Sequence, residues 1–221
     1  MVRDPAATIH PFEYLKDDRM HKLRHPLIGD VFSVDFRHRD PSTLLAGGRR
    51  GGIWLGDLRQ NGRQAWVNVA AADEPVAHVK SVGEHCVLMA GTHNKMALYD
   101  LRFNSKIPNA MKPVVEETRP LFHFRGYKNE AHVTSLGLDV DPVQGLVAAA
   151  QDDGTVALFS LHSGRRLPSR DIDAIKQAGP VAAIHFATMP CDQDASLFVG
   201  KGGEVHKFSF GKREGEDEDV S

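Results

Sequence analysis

Cysteine is scarce in this chain, since the 221 residues contain only Cys86 and Cys191. The two lie far apart and form no Cys-x-x-Cys or Cys/His ligand spacing, which excludes a disulfide framework and a zinc-ribbon type of site. Cys86 falls in an apolar run and is predicted to pack in the core. Without structural disulfides the sequence favours a reducing compartment, so an intracellular location, nuclear or cytoplasmic, is expected.

Long apolar runs and a strong net charge are also missing. No stretch approaches the ~18–20 apolar residues that span a bilayer, and residues 1–10 lack the apolar core of a signal peptide, so no membrane partner is expected. The formal net charge of −2 provides no electrostatic argument for nucleic acid. The last eight residues hold five acids, which predicts an acidic, disordered tail over residues 212–221.

The usual signatures of catalysis are absent from the sequence. There is no Gly-x-Ser-x-Gly elbow, and the glycine-rich run at residues 47–52 lacks the Lys-Ser/Thr ending of a phosphate loop. Of the twelve histidines, His21 and His25 have helical i, i+4 spacing, but no acid lies between them to act as a base. The sequence therefore predicts no enzymatic activity, no cofactor and no metal site.

What the sequence does contain is one pattern repeated four times. Each copy opens with a valine followed three residues later by an aliphatic residue, and the copies begin at Val31, Val76, Val133 and Val181. A small-residue run, a polar turn and a second apolar strand follow. The predicted turns are Gly51-Gly52, Asn94, Asp153-Gly154 and Gly202-Gly203. These residues tolerate the positive φ of tight hairpin turns, so the repeats predict an all-β fold.

The repeats set the predicted organisation of the chain. An irregular N-terminal segment is expected over residues 1–29. Repeats are expected over approximately 30–60, 75–103, 131–164 and 179–211. The intervening residues 104–125 contain three prolines and are predicted to form a loop between repeats.

This repeated sequence pattern resembles that of the WD-repeat β-propeller family, which has about 40–45 residues and four strands per repeat. The position of the family's closing tryptophan is occupied by Gly56, Tyr99, Phe159 and Phe208, while Trp54 lies two residues early on the same predicted strand face. The resemblance implies an all-β propeller with about four blades present. Because seven blades are usual in the family, the chain is expected to be part of a larger ring, with a four-bladed ring as the alternative.

Two of the repeats end in the same charged motif, Asp57-x-Arg59 and Asp100-x-Arg102. The motif resembles the box of cullin-4-associated substrate receptors, and a longer resemblance to that family covers roughly residues 30–210. It implies that Asp57, Arg59, Asp100 and Arg102 face the adaptor, damaged-DNA-binding protein 1. The alternative is structural: each aspartate caps a turn and each arginine is a solvated surface charge.

Two classes of function follow from these resemblances. The first is a non-catalytic interaction scaffold, namely the substrate receptor of a cullin-4 RING ubiquitin ligase that holds an unknown substrate protein. The alternative is a general WD-repeat assembly platform in an RNA or chromatin complex. A third, RNA-binding hypothesis uses the exposed arginine pairs Arg49-Arg50 and Arg165-Arg166.

Overall fold

A computed structural model describes residues 29–59, 66–70, 74–103, 119–190 and 192–210. The predicted irregular N-terminal segment, apart from its last residue, and the predicted acidic tail lie outside these residues. Among the described residues, regular structure is almost entirely β-strand, with one four-residue helix, α1 (Arg170–Asp173), and one 3₁₀ turn (Leu101–Phe103). The all-β prediction is therefore confirmed.

The strands of the described residues form four antiparallel sheets, each built from strands that follow one another along the chain. Sheet 1 contains β1 (Val31–Arg37), β2 (Asp40–Gly48), β3 (Ile53–Asp57) and β4 (Trp66–Ala70). Sheet 2 contains β5 (Val76–Val82), β6 (Cys86–Gly91), β7 (Met96–Asp100) and β8 (Phe122–His123). Sheet 3 contains β9 (Leu138–Asp141), β10 (Leu146–Ala150), β11 (Val156–Ser160) and β12 (Arg166–Leu167). Sheet 4 contains β13 (Ile184–Ala187), β14 (Ser196–Lys201) and β15 (Glu204–Ser209).

All four predicted turns are confirmed, and each connects the second and third strands of its sheet. The turns contain residues in the left-handed region: Gly51 and Gly52, Asn94, Gly154 and Gly202, with φ of 58° for Asn94 and 78° for Gly154. Glycine adopts this conformation without the steric cost that a Cβ atom imposes, and asparagine tolerates it better than most residues. The repeated sequence pattern therefore reflects a repeated hairpin.

The fourth strands of sheets 2 and 3 were not visible in the sequence pattern. Strands β8 and β12 are two residues long, which is too short to show an alternating apolar pattern. Strand β8 lies within residues 104–125, so the prediction that this whole segment is a loop is wrong. It pairs with β7 through Ala97 and His123, and residues 104–118 are outside the described part of the chain.

The sheets pack face to face in chain order. Their first strands lie side by side, with β1 next to β5, β5 next to β9 and β9 next to β13. Successive residues of a strand point to opposite faces, so the middle sheets bury both faces: in sheet 2, Val87 packs towards sheet 1 and Leu88 towards sheet 3. Sheets 3 and 4 enclose a third apolar cluster that includes Leu158 and Phe186.

A neighbouring strand fills the space over Gly56, the residue at the position where the WD-repeat resemblance expects a tryptophan. Gly56 pairs with Trp66 on β4, and a Cβ atom at Gly56 would lie 2.9 Å from the Trp66 ring. Trp54 lies on the same face and belongs to the same apolar cluster. The equivalent Tyr99 and Phe159 are buried, at 5% and 0% exposure. Aromatic rings thus occupy equivalent space in sheets 1, 2 and 3, although in sheet 1 the ring comes from the next strand.

Cys86 is partly buried against the apolar cluster between sheets 2 and 3, as predicted, and burial raises the pKa of its thiol. No helix within the described ranges has the length and apolar content needed to cross a membrane.

Candidate partner-binding site

The third strands of sheets 1, 2 and 3 end in the same backbone turn. The N–H groups of Leu58, Leu101 and Leu161 each donate a hydrogen bond to a carbonyl at the start of the preceding hairpin, namely those of Ser42, His85 and Gly145, at 2.7–2.8 Å. The residue before each leucine is therefore structurally equivalent, and so is the residue after it. Asp57 and Arg59 correspond to Asp100 and Arg102.

Each Asp-x-Arg motif forms a closed ion pair within three residues. The Arg59 N–H and Nε donate to Asp57 Oδ1, both at 2.9 Å, and Nη2 donates to Oδ2 at 2.9 Å. In the second copy the Arg102 N–H and Nε donate to Asp100 Oδ1 at 2.9 and 3.0 Å, and Nη2 donates to Oδ2 at 2.6 Å. We call these two arrangements the arginine clamps. Each has the paired, side-on geometry that makes arginine–carboxylate pairs strong.

The two members of each clamp differ in exposure. The side chains of Asp57 and Asp100 are 20% and 4% exposed, whereas those of Arg59 and Arg102 are 70% and 62% exposed. The hydrogen bond from Arg102 lowers the pKa of Asp100 against the opposing effect of burial. The same bonds to aspartate raise the pKa of both arginines. Each clamp therefore holds a permanently charged guanidinium at the surface in a fixed orientation.

Sheets 3 and 4 lack the clamp. In sheet 3 the equivalent residues are Ser160 and His162, and the His162 ring lies against Gly145, where a Cβ atom would be 2.6 Å from its Nε2. In sheet 4 the equivalent of the aspartate is Ser209, and Gly211 lies outside the described residues. The clamps are therefore a property of two neighbouring sheets.

The geometry bears on the structural interpretation of the motif. Each aspartate does cap a turn, because its Oδ1 accepts the backbone N–H two residues on. Each arginine, however, is held by side-chain hydrogen bonds to both carboxylate oxygens. A guanidinium that is already immobilised loses less side-chain entropy when it binds a partner.

The Arg102→Ala variant is expected to raise the pKa of Asp100. The guanidinium hydrogen bonds and positive charge that lower this pKa disappear, while burial, which raises it, and the backbone N–H of residue 102, which lowers it, both remain. In the wild type, the stabilisation that the Asp100 carboxylate contributes is present at neutral pH and is lost only when the pH falls below the unfolded-state pKa of about 3.9. In the variant, the same stabilisation is lost at a higher pH. Carboxyl-detected NMR titration measures the change. The Arg59→Ala variant is the control, and an unchanged Asp100 titration in Arg102→Ala would contradict this account.

A second set of polar residues, which the sequence patterns did not identify, connects the first strands of the sheets. Strand register places Asp35, Lys80, Asp139 and His185 at equivalent positions on β1, β5, β9 and β13, because they pair with Leu45, Leu88, Ala148 and Phe198. We call these four residues the first-strand belt. Acidic and basic side chains alternate along these four positions.

The belt joins each sheet to the next. Asp35 Oδ2 accepts the Ser81 N–H of sheet 2 at 2.7 Å, and Asp139 Oδ2 accepts the Phe186 N–H of sheet 4 at 2.8 Å. Lys80 Nζ lies 3.0 Å from Asp139 Oδ1, and His185 Nδ1 lies 2.8 Å from Oδ2. Burial alone raises the pKa of Asp139, but the Phe186 N–H and the Lys80 ammonium outweigh it, so its pKa lies below the ordinary value.

Several of the other residues considered from the sequence have local partners, and others lie outside the described ranges. Arg49 is 2.7 Å from Asp30 and Arg166 is 2.7 Å from Asp173, so one arginine of each predicted RNA-binding pair forms an ion pair with an aspartate. His21 and His25 lie outside the described residues. Within the described ranges, no group of three or more His, Cys, Asp or Glu residues could hold a metal ion.

Comparison with known proteins places this chain in a structural class only. No protein-family model and no curated protein matches it. Among solved structures, the computationally designed Ika4 protein is similar over 84% of this chain and 94% of that chain, with a TM-score of 0.56 and 14% identity. The computationally designed Ika8 protein is similar over 81% of this chain and 46% of that chain, again with a TM-score of 0.56 and 14% identity. The class is an all-β protein of consecutive antiparallel sheets.

Proposed function

We propose that the chain is a non-catalytic interaction scaffold, built from WD-repeat propeller blades, that acts as a substrate receptor of a cullin-4 RING ubiquitin ligase. The observation that carries the proposal is the pair of arginine clamps. Two neighbouring repeats present an exposed arginine in the same conformation at the same strand end. Such a repeated arrangement suits a partner that contacts both sheets at once.

The propeller part of the proposal is supported by the arrangement of the sheets. Each repeat forms one antiparallel sheet, and the first strands of consecutive sheets lie next to one another. A propeller repeats this relation around an axis until the last sheet meets the first. The repeated hairpin turns and the aromatic rings at the ends of the third strands support the same fold.

The ligase part of the proposal is supported by the chemistry of the clamps. Arginine presents a rigid, planar set of donors that suits carboxylates and backbone carbonyls at interfaces. Because Asp57 and Asp100 already orient the guanidinium groups, docking of the adaptor, damaged-DNA-binding protein 1, costs less conformational entropy. Asp57, Arg59, Asp100 and Arg102 would thus form the adaptor side of the receptor.

A longer resemblance supports the same family. The runs at residues 121–130, 145–152 and 158–162 are similar to the C-terminal blades of the fourth of the numbered cullin-4-associated factors. In the structure these runs cover β8, β10 and the end of β11 with its turn. These runs are structural segments of sheets 2 and 3. They therefore support the proposal that the repeats are WD repeats more strongly than they support binding of the ligase adaptor.

The proposed mechanism is proximity. The receptor would contribute no reacting group and would hold a substrate protein beside the charged conjugating enzyme. Ubiquitin transfer between two separate molecules then becomes transfer at a high effective concentration.

Adaptor capture tests the proposal. The Arg59→Ala/Arg102→Ala double variant is expected to recover at least about tenfold less adaptor than the wild type in a quantitative pull-down, because about 1.4 kcal/mol of lost binding energy suffices for that factor. Interface arginines commonly contribute more than this.

The matched control is the Arg49→Ala/Arg166→Ala double variant, which removes two other partly exposed arginines that are paired with aspartate. It should retain adaptor recovery. Equal recovery by the wild type and the Arg59→Ala/Arg102→Ala variant would overturn the ligase proposal and favour the general assembly platform.

A further inference from the structure

The outer face of sheet 1, which points away from sheet 2, carries exposed apolar side chains. Val34 and Phe36 on β1 are 58% and 54% exposed. They pair with Ala46 and Leu44 on β2, which belong to an apolar cluster separate from the three that lie between sheets. Side chains of this kind fill the spaces between neighbouring sheets elsewhere in the molecule. The face therefore has the composition of a sheet-to-sheet interface.

Sheet 4 has an outer face at the other end of the array. Its inner face buries Phe186 and Leu197 against sheet 3, and the alternation of strand residues turns His185, Phe198 and Val205 to the opposite side. Val205 is 73% exposed and Phe198 is partly exposed. The His185 side chain is 74% exposed.

The first-strand belt indicates what should lie against these two faces. Asp139 accepts hydrogen bonds from both of its neighbouring sheets, through Lys80 of sheet 2 and the Phe186 N–H of sheet 4. Asp35 occupies the equivalent position in sheet 1, and among the described residues its contact with a neighbouring sheet is with the following one, through the Ser81 N–H. Its Oδ1 accepts the N–H of the adjacent Phe36. Within the described residues, no basic group occupies the side of Asp35 that corresponds to Lys80.

The missing basic group has an equivalent at the opposite end of the array. His185 occupies the position of Lys80, on the sheet that would precede sheet 1 if the array continued. Its Nδ1 lies 2.8 Å from Asp139 Oδ2 of sheet 3, but 74% of its side chain is exposed and accessible to a second chain. The side chains of Asp35, Lys80, Asp139 and His185 alternate between acid and base. If sheet 4 packs on sheet 1 of another copy, His185 is followed by Asp35 of that copy and the alternation continues. This complementarity selects a second copy of the same chain as the partner.

We propose that two copies of the chain associate head to tail, with the outer face of sheet 4 of each copy packed on the outer face of sheet 1 of the other. The two contacts are identical by twofold symmetry and close a ring of eight sheets. The contact is between different faces, yet it closes after two copies and leaves no free end. This inference goes beyond the proposed ligase role and does not depend on it.

Sedimentation equilibrium of the chain tests the proposal. The wild type, of 24.3 kDa per chain, is expected at the mass of two chains at roughly 10 µM, and Phe36→Asp is expected to weaken association at least about tenfold. A carboxylate buried without a partner in an apolar contact costs well over the 1.4 kcal/mol that corresponds to this factor. Val34→Asp provides the same test at an independent position.

The matched control is Val143→Asp, which places the same charge at a valine that is 95% exposed in the turn between β9 and β10. It should retain the mass of two chains. Circular dichroism spectra that match the wild type establish that each variant folds, as expected for residues that are more than half exposed in the single chain.

A mixing experiment tests the head-to-tail arrangement. Phe36→Asp disrupts the sheet 1 face and Val205→Asp the sheet 4 face, so each variant alone loses both contacts. In a mixture, one contact joins the intact sheet 4 of the first variant to the intact sheet 1 of the second. The mixture should therefore associate at least about tenfold more tightly than either variant alone. A monomeric wild type, a mass above two chains, or no gain on mixing would each overturn the proposal.

Discussion

Alanine at Gly154 is expected to destabilise the fold by about 3–5 kcal/mol or to prevent folding altogether. Gly154 has φ +78°, and a Cβ atom there would lie only 2.1 Å from the Gln177 backbone oxygen. The left-handed conformation costs a non-glycine residue roughly 1–2 kcal/mol, and forcing packed backbone apart adds about 1–3 kcal/mol. The displacement also breaks the hydrogen bond that the Gln177 N–H donates to the Gly154 carbonyl, now 3.1 Å long.

Urea unfolding of the purified variant measures the loss, and Gly202→Ala is the matched control. Gly202 occupies the corresponding hairpin turn of sheet 4 with φ +59°, but nothing lies within 4 Å of the position that a Cβ atom would occupy. This control isolates the conformational cost, so its expected loss is about 1 kcal/mol. Equal losses at Gly154 and Gly202 would show that the contact with residue 177 is unimportant.

Alanine at Asp139 is expected to cost about 3 kcal/mol, because a buried N–H loses its acceptor and a half-buried ammonium loses its counter-charge. The side chain is 10% exposed and joins three sheets: it accepts the Phe186 N–H of sheet 4 and pairs with Lys80 of sheet 2. Urea unfolding measures the loss. The Asp139 side chain connects sheet 3 to both neighbouring sheets and does not pair the strands within a sheet. The variant is therefore expected to unfold at a lower urea concentration while its β-strand content in the folded state stays the same.

Asp194→Ala is the control for Asp139→Ala, since Asp194 is an exposed aspartate in the connection between β13 and β14. Its unfolding free energy should stay within about 0.5 kcal/mol of the wild type. A matching, negligible loss at Asp139 would mean that the first-strand belt makes no net contribution and that apolar packing alone joins the sheets.

The arginine clamps were the part of the candidate site that the sequence could predict. Asp57-x-Arg59 and Asp100-x-Arg102 are local, so a repeated motif of three residues is enough to identify them. Their conformation was not predicted: the sequence left open whether each arginine was free in solvent. The exposed guanidinium held by a largely buried carboxylate became visible only with the structure.

The first-strand belt could not be predicted in the same way. Asp35, Lys80, Asp139 and His185 belong to three residue types, and they are equivalent only through strand register. Asp139 also lies six residues after Val133, whereas Asp35, Lys80 and His185 lie four residues after the first valine of their repeats. The repeat offset therefore does not relate Asp139 to the other three, and its contact with Phe186 joins residues that are 47 apart in the chain.

Hairpin turns and strand alternation were determined by the sequence alone, because both depend on neighbouring residues. A glycine or asparagine at each turn permits the positive φ, and alternating apolar residues define the faces of each strand. The tertiary structure decided what covers those faces: Trp66 fills the space over Gly56, Asp139 joins three sheets, and Phe36 is left exposed. These outcomes depend on how separate sheets pack, and packing between distant segments leaves no periodic pattern in the sequence.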